Sequence, residues 1–177
     1  MSVQLAYYEA NSAALAGDCS RARSALALAE TIADARPEAD TGISPWSFPP
    51  ERQAIFALSV ALHTGDADGA LRAAAAADHG WATGDPHIPG TWAQVRIGAA
   101  IACLLKDSLD GAVEQVTPML TLSPEFRIAT VTGWLADLDR RLSGHRYTTN
   151  HTGSGLRQQI REFTTNALPQ HAAGETR

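Results

Sequence analysis

The chain has 177 residues, of which 45% are hydrophobic and 6% aromatic, and a net charge of −5. That length and apolar share suffice for one well-buried core without disulfides or a structural metal. Residues 1–139 hold 8 basic and 17 acidic side chains, a balance of −9, whereas 140–177 hold 6 and 2. The body therefore repels nucleic acid, and no direct nucleic-acid partner is expected.

Alanine and leucine dominate the apolar residues and sustained runs of Val, Ile and Thr are missing, which points to an all-α fold packed through small side chains. No apolar run reaches the roughly 18 residues of a membrane span. The first residues, MSVQLAYYEANSAALAGD, lack the basic start and apolar centre of a secretory leader. The expectation is a cytoplasmic protein without a membrane partner. Cys19 and Cys103 have no metal-ligand spacing and fit a reducing compartment as free thiols.

In chain order, apolar periodicity predicts helices over 2–16, 19–35, 51–64, 67–77, 91–106, 108–121, 125–142 and 154–167. The first two meet at Gly17-Asp18, the next two at Gly65-Asp66, and the third pair at Lys106-Asp107. Glycine supplies a left-handed helix stop and Asp an oxygen that caps the following helix, the turn chemistry of an αα-hairpin. Ala22, Ala70 and Ala112 take equivalent places behind these turns, 48 and 42 residues apart. Those periods exceed the roughly 34 residues of a tetratricopeptide unit. The excess falls in two loops, Arg36 to Pro50 with four prolines and Trp46, and Asp78 to Gly90 with Trp81.

Thr91 is placed to cap helix 91–106, and Ser123-Pro124 to open helix 125–142. Along the latter, Ile128, Val131, Leu135, Leu138 and Leu142 recur at spacings of 3, 4, 3 and 4 and form the expected buried stripe. Residues 143–155 read as a flexible connector, followed by a helix with Leu156, Ile160 and Phe163 on one side. The domain expectation is one helical array over 1–167 and a disordered tail over 168–177.

A second stripe on helix 125–142, Arg127, Thr130, Trp134, Asp137 and Arg141, sets an aromatic plate between guanidinium and carboxylate groups. It suits a peptide, an anionic group or a partner helix. The simpler alternative is a half-buried tryptophan beside an ordinary i,i+4 ion pair. Arg96, one turn after Trp92, lies in the apolar run VRIGAAIACLL and needs an anion, either an internal acid or a ligand. His79, Asp85 and His87 fit no familiar zinc spacing and read as loop surface. No nucleophile motif, phosphate-cradling loop or HExxH helix occurs, so no catalytic residue, metal or cofactor is assigned.

The stretches Pro45-Trp46-Ser47-Phe48, Arg52-Gln53-Ala54, Thr64 to Leu71, Pro89 to Arg96 and Thr130 to Leu138 together resemble the C-terminal tetratricopeptide-like region of actinobacterial Xre-family helix-turn-helix transcriptional regulators. The resemblance spans most of the chain. It implies a tetratricopeptide-like α-solenoid of about eight helices that serves dimerisation or effector sensing. No DNA-reading helix-turn-helix precedes the first array helix, so DNA binding is not carried over.

The functional expectation is a non-catalytic regulatory or interaction module. Its concave face would take a small effector, a peptide or a protein partner, a second copy of the chain included. Trp46, Trp81, Trp92, Arg96, Arg127, Trp134 and Asp137 are the expected recognition residues. Two alternatives stay open. One is a small secondary-metabolism enzyme using Asp137, Arg127, Arg96 or a loop histidine as acid–base groups, and the other is a purely dimerising scaffold.

Overall fold

The computed structural model describes residues 2–35, 48–85 and 87–165. Among them the fold is all-α, with no strand, and no helix is long and apolar enough to cross a membrane. Three helical hairpins come first: α1 (Val3–Leu15) with α2 (Cys19–Asp34), α3 (Pro50–His63) with α4 (Ala67–Thr83), and α5 (Pro89–Leu105) with α6 (Leu109–Val116). Two 3₁₀ turns, Thr117–Thr121 and Pro124–Phe126, lead to α7 (Ala129–Leu142), α8 (His145–Thr148) and α9 (His151–Thr165).

The three hairpin turns share one geometry. Gly17 and Gly65 adopt φ of +80° and +74°, conformations open to glycine without steric cost. The next N–H reaches back to the carbonyl five residues earlier, Asp18 to Ala13 at 2.9 Å and Asp66 to Ala61 at 2.8 Å. The Asp18 and Asp66 side chains then accept from the N–H groups of Arg21 and Gly69. In the third hairpin Asp107 itself takes the left-handed place, at φ +61°, which Asp tolerates better than most residues. Capping passes to Ser108, whose hydroxyl accepts from Gly111 and whose N–H donates to Cys103 at 2.9 Å.

Asp18, Asp66 and Ser108 are therefore equivalent caps, 48 and 42 residues apart. The register extends into the core, where Ala22, Ala70 and Ala112 are each fully buried and Ala29, Ala77 and Met119 follow two turns later. α1 packs on α3, α3 on α5 and α5 on α7, so the odd-numbered helices form one continuous row with α2, α4 and α6 beside it. α4 lies closely along α5, whereas α2 touches α3 only sparsely.

Several boundaries differ from the sequence expectation. α4 runs on to Thr83, which puts Trp81 on a helix rather than in a loop. Alanine propensity carries the helix through Gly80, and Gly84 at φ +112° ends it. α5 starts at Pro89, so Thr91 is not its cap; a proline at the first helical position loses no hydrogen bond there. Ile128 flanks α7 in an extended conformation and is 49% exposed, leaving Val131, Leu135, Leu138 and Leu142 as the buried stripe. Residues 143–155 are no loose connector. They contain α8 and the start of α9, with the Tyr147 hydroxyl donating to the Leu104 carbonyl and the Asn150 side chain accepting from Thr152 and Gly153. Residues 168–177 lie outside the described residues.

Candidate functional site

Trp92 and Arg96 sit one turn apart on α5, and the anion that Arg96 needs is internal. Its Nη2 donates to both Asp78 carboxylate oxygens at 2.7 Å, and its Nη1 to Gln115 Oε1 at 2.9 Å. The side chain is only 14% exposed. Arg96 thus ties α5 to α4 and α6. His87 stands between the rings of Trp81 and Trp92, at centroid distances of 5.3 Å and 5.8 Å. This junction between the second and third hairpins is filled by aromatic rings and a paired guanidinium.

Arg127 precedes α7, because that helix begins two residues later, and its side chain turns toward α9. It donates to the Leu122 and Phe163 carbonyls at 3.0 Å and 3.2 Å, and its guanidinium lies 4.3 Å from the centre of the Phe163 ring. A cation at the last turn of α9 suits the negative end of that helix. Arg127 is a pin for the last helix and is separate from the other expected recognition residues.

Trp134 and Asp137 do share a pocket. The floor of a cavity of about 320 Å³ is formed by Leu62, Ile101 and Trp134, and its rim by His63, Asp137, Arg140 and Arg141. Trp134 packs so closely on α5 at Gly98 that a Cβ there would lie 2.9 Å from its ring, and 2.4 Å from Leu58. Asp137 accepts from Arg140 Nη1 at 2.6 Å and from Arg141 Nε at 2.9 Å, leaving one positive charge in excess. His63 Nδ1 donates to the Ser59 carbonyl at 2.8 Å.

The two rows do not converge on one face. Residues 96 and 98 lie about 200° apart around an α-helix, so Arg96 faces α4 and α6 while Gly98 meets Leu58 of α3 and Trp134 of α7. Trp46, the remaining expected residue, lies outside the described residues.

Another cavity, of about 540 Å³, involves none of the expected residues. It lies between α2 and α4 over α3, among Glu30, Pro50, Ala54, Ala57, Arg72 and Ala73. Its one strongly perturbed ring is Tyr7, pushed up to about 12 by burial and then by the carboxylates of Glu30 and Asp34. Burial, and then Asp34, also raise Glu30 above the ordinary carboxylate range, while Arg72 pulls it down. The signal available in the sequence was the pairing of position 54 with position 96 in the 42-residue register.

No family model, curated protein or solved structure matches this chain. The functional conclusion therefore rests on geometry.

Proposed function

We propose that the chain is a non-catalytic binding module of the tetratricopeptide-like type, part of a cytoplasmic regulatory system akin to the actinobacterial Xre-family regulators. It takes a small effector, or the end of a peptide or protein partner, in the Trp134 pocket on the row of odd-numbered helices. Support comes from the way Trp134 is held: wedged against Gly98, its ring offers an aromatic plate that loses little further freedom on binding. The excess positive charge of Arg140 and Arg141 over Asp137 favours an anionic group on the ligand. Asp137 already accepts two charge-assisted hydrogen bonds, which favours a binding role over that of a general base.

Thermal unfolding in the presence of small aromatic anions tests this. A ligand held at about 100 times its Kd adds about 2.7 kcal/mol to stability, so a true ligand raises the Tm of the wild-type chain by several degrees and leaves Trp134→Ala unmoved. If every compound that stabilises the wild type stabilises Trp134→Ala equally, the pocket is not the site.

A further inference from the structure

The two junctions between successive hairpins are built on one plan, and the described residues fill only one of them. The 42-residue register that matches Asp66 to Ser108 also matches Ala54 to Arg96, Pro50 to Trp92 and Ala73 to Gln115. The 48-residue register that matches Asp18 to Asp66 matches Glu30 to Asp78. At the second junction these places hold an indole, a guanidinium, an amide and an acid, with Arg96 joining the amide and the acid and the Trp92 indole set against His87. At the first junction the indole, the guanidinium and the amide are replaced by Pro50, Ala54 and Ala73, and the acid remains as Glu30. All four of these residues line the 540 Å³ groove. The cavity thus stands where the sister junction carries an arginine and an aromatic ring.

We propose that the groove between α2 and α4 is a receptor site for a guanidinium group, carried by an arginine derivative or by an arginine side chain of a peptide, with Glu30 as the acid that receives it. Arg96 on Asp78 shows the geometry that the ligand reproduces, and the floor of small side chains leaves room for a flat group where Trp92 lies in the sister junction. Among the described residues, Arg23 donates to the Thr64 carbonyl at 3.3 Å and Arg72 lies 3.8 Å from Asp66, while Arg72 also lines the groove and acts on Glu30 from a distance. Among the described residues no cation comes within ion-pair distance of Glu30. Partial desolvation at the groove wall and the neighbouring Asp34 disfavour the Glu30 charge, Arg72 offsets part of this, and an arriving cation adds to that offset. This site is separate from the Trp134 pocket and stands or falls independently of it.

Isothermal titration of the full chain with Nα-benzoyl-L-arginine amide and with a short arginine-containing peptide tests the proposal, with the citrulline counterparts as neutral controls. The expected result is saturable binding of at least one guanidinium probe and none of its citrulline analogue. Tighter binding of the amide identifies a small-molecule site, and tighter binding of the peptide a peptide site. Glu30→Gln, a change at an exposed position, weakens binding by at least about tenfold, the loss expected for one charge-assisted hydrogen-bonded contact. Ala54→Arg supplies the guanidinium from α3 itself, so it abolishes probe binding and raises Tm. Absence of binding by either probe, equal binding of citrulline, or undiminished binding to Glu30→Gln overturns the proposal. A lower Tm for Ala54→Arg, at unchanged probe affinity in that variant, overturns it as well.

Discussion

Replacing Gly98 with alanine isolates the contact that positions Trp134. In a helix interior the change should help by about 1 kcal/mol, since alanine is the better helix former. At Gly98 the added Cβ meets Leu58 Cδ2 at 2.4 Å, Leu58 Cγ at 2.9 Å and Trp134 Cζ3 at 2.9 Å. Leu58 is fully buried and has nowhere to go, so the methyl is accommodated only by moving α5, α3 or the indole. Overpacking of that kind costs about 1–3 kcal/mol, and with two obstacles on facing helices the upper part of that range applies. The net expectation is a loss of about 1–2 kcal/mol, or a Tm lower by about 2–8 °C for a chain of this size. Gly133→Ala is the control, because a Cβ there meets nothing within 4 Å, and it should stabilise by up to about 1 kcal/mol. Urea unfolding of both variants gives the comparison. If Gly98→Ala is as stabilising as Gly133→Ala, the close approach of Trp134 and Leu58 to α5 is refuted.

Leu135→Ala should lose about 2–5 kcal/mol, as for truncation of a fully buried leucine, and Ile128→Ala no more than about 0.5 kcal/mol, because Ile128 has left the stripe; equal losses in denaturant titrations would contradict the structure. Arg96→Ala should cost about 1–3 kcal/mol by releasing Asp78 and Gln115, whereas Arg140→Ala, 72% exposed, should change stability by less than about 0.5 kcal/mol. Tyr7 keeps its proton up to about pH 12 in the fold, against about 10 in the unfolded chain. Its folded pKa is raised, so its contribution is complete below about pH 10 and lost as pH climbs toward 12, on the order of 2–3 kcal/mol. Tyr7→Phe should flatten that alkaline loss, as read from urea midpoints at about pH 9 and about pH 11.

What the sequence disclosed and what it hid divide along physical lines. Turn chemistry is local, so Gly17-Asp18 and Gly65-Asp66 announced two hairpins, and the register of Ala22, Ala70 and Ala112 appeared in the core as expected. Helix ends next to glycine and proline were harder. Gly80 and Gly84 suggested a loop around Trp81, but only Gly84 adopts a helix-ending conformation. The pairing of Trp134 with Asp137 followed from helical spacing, and so did the Asp137–Arg141 contact. The common face expected for Arg96 and Trp134 did not follow, because which side of α5 meets α7 depends on Gly98 and the packing around it. The groove at Glu30 was the least legible feature. It is made by the shortness of Pro50, Ala54 and Ala73, and small residues carry no signal until they are matched to the larger ones that occupy the same places in the next hairpin.

Native mass spectrometry of the protein purified from its own cells tests the binding-module account most directly. The account predicts a wild-type mass above that of the polypeptide by one bound ligand or partner, and loss of that excess in Trp134→Ala at unchanged helicity. A wild-type mass equal to the bare chain at every concentration tried, or an excess that Trp134→Ala retains in full, would contradict it.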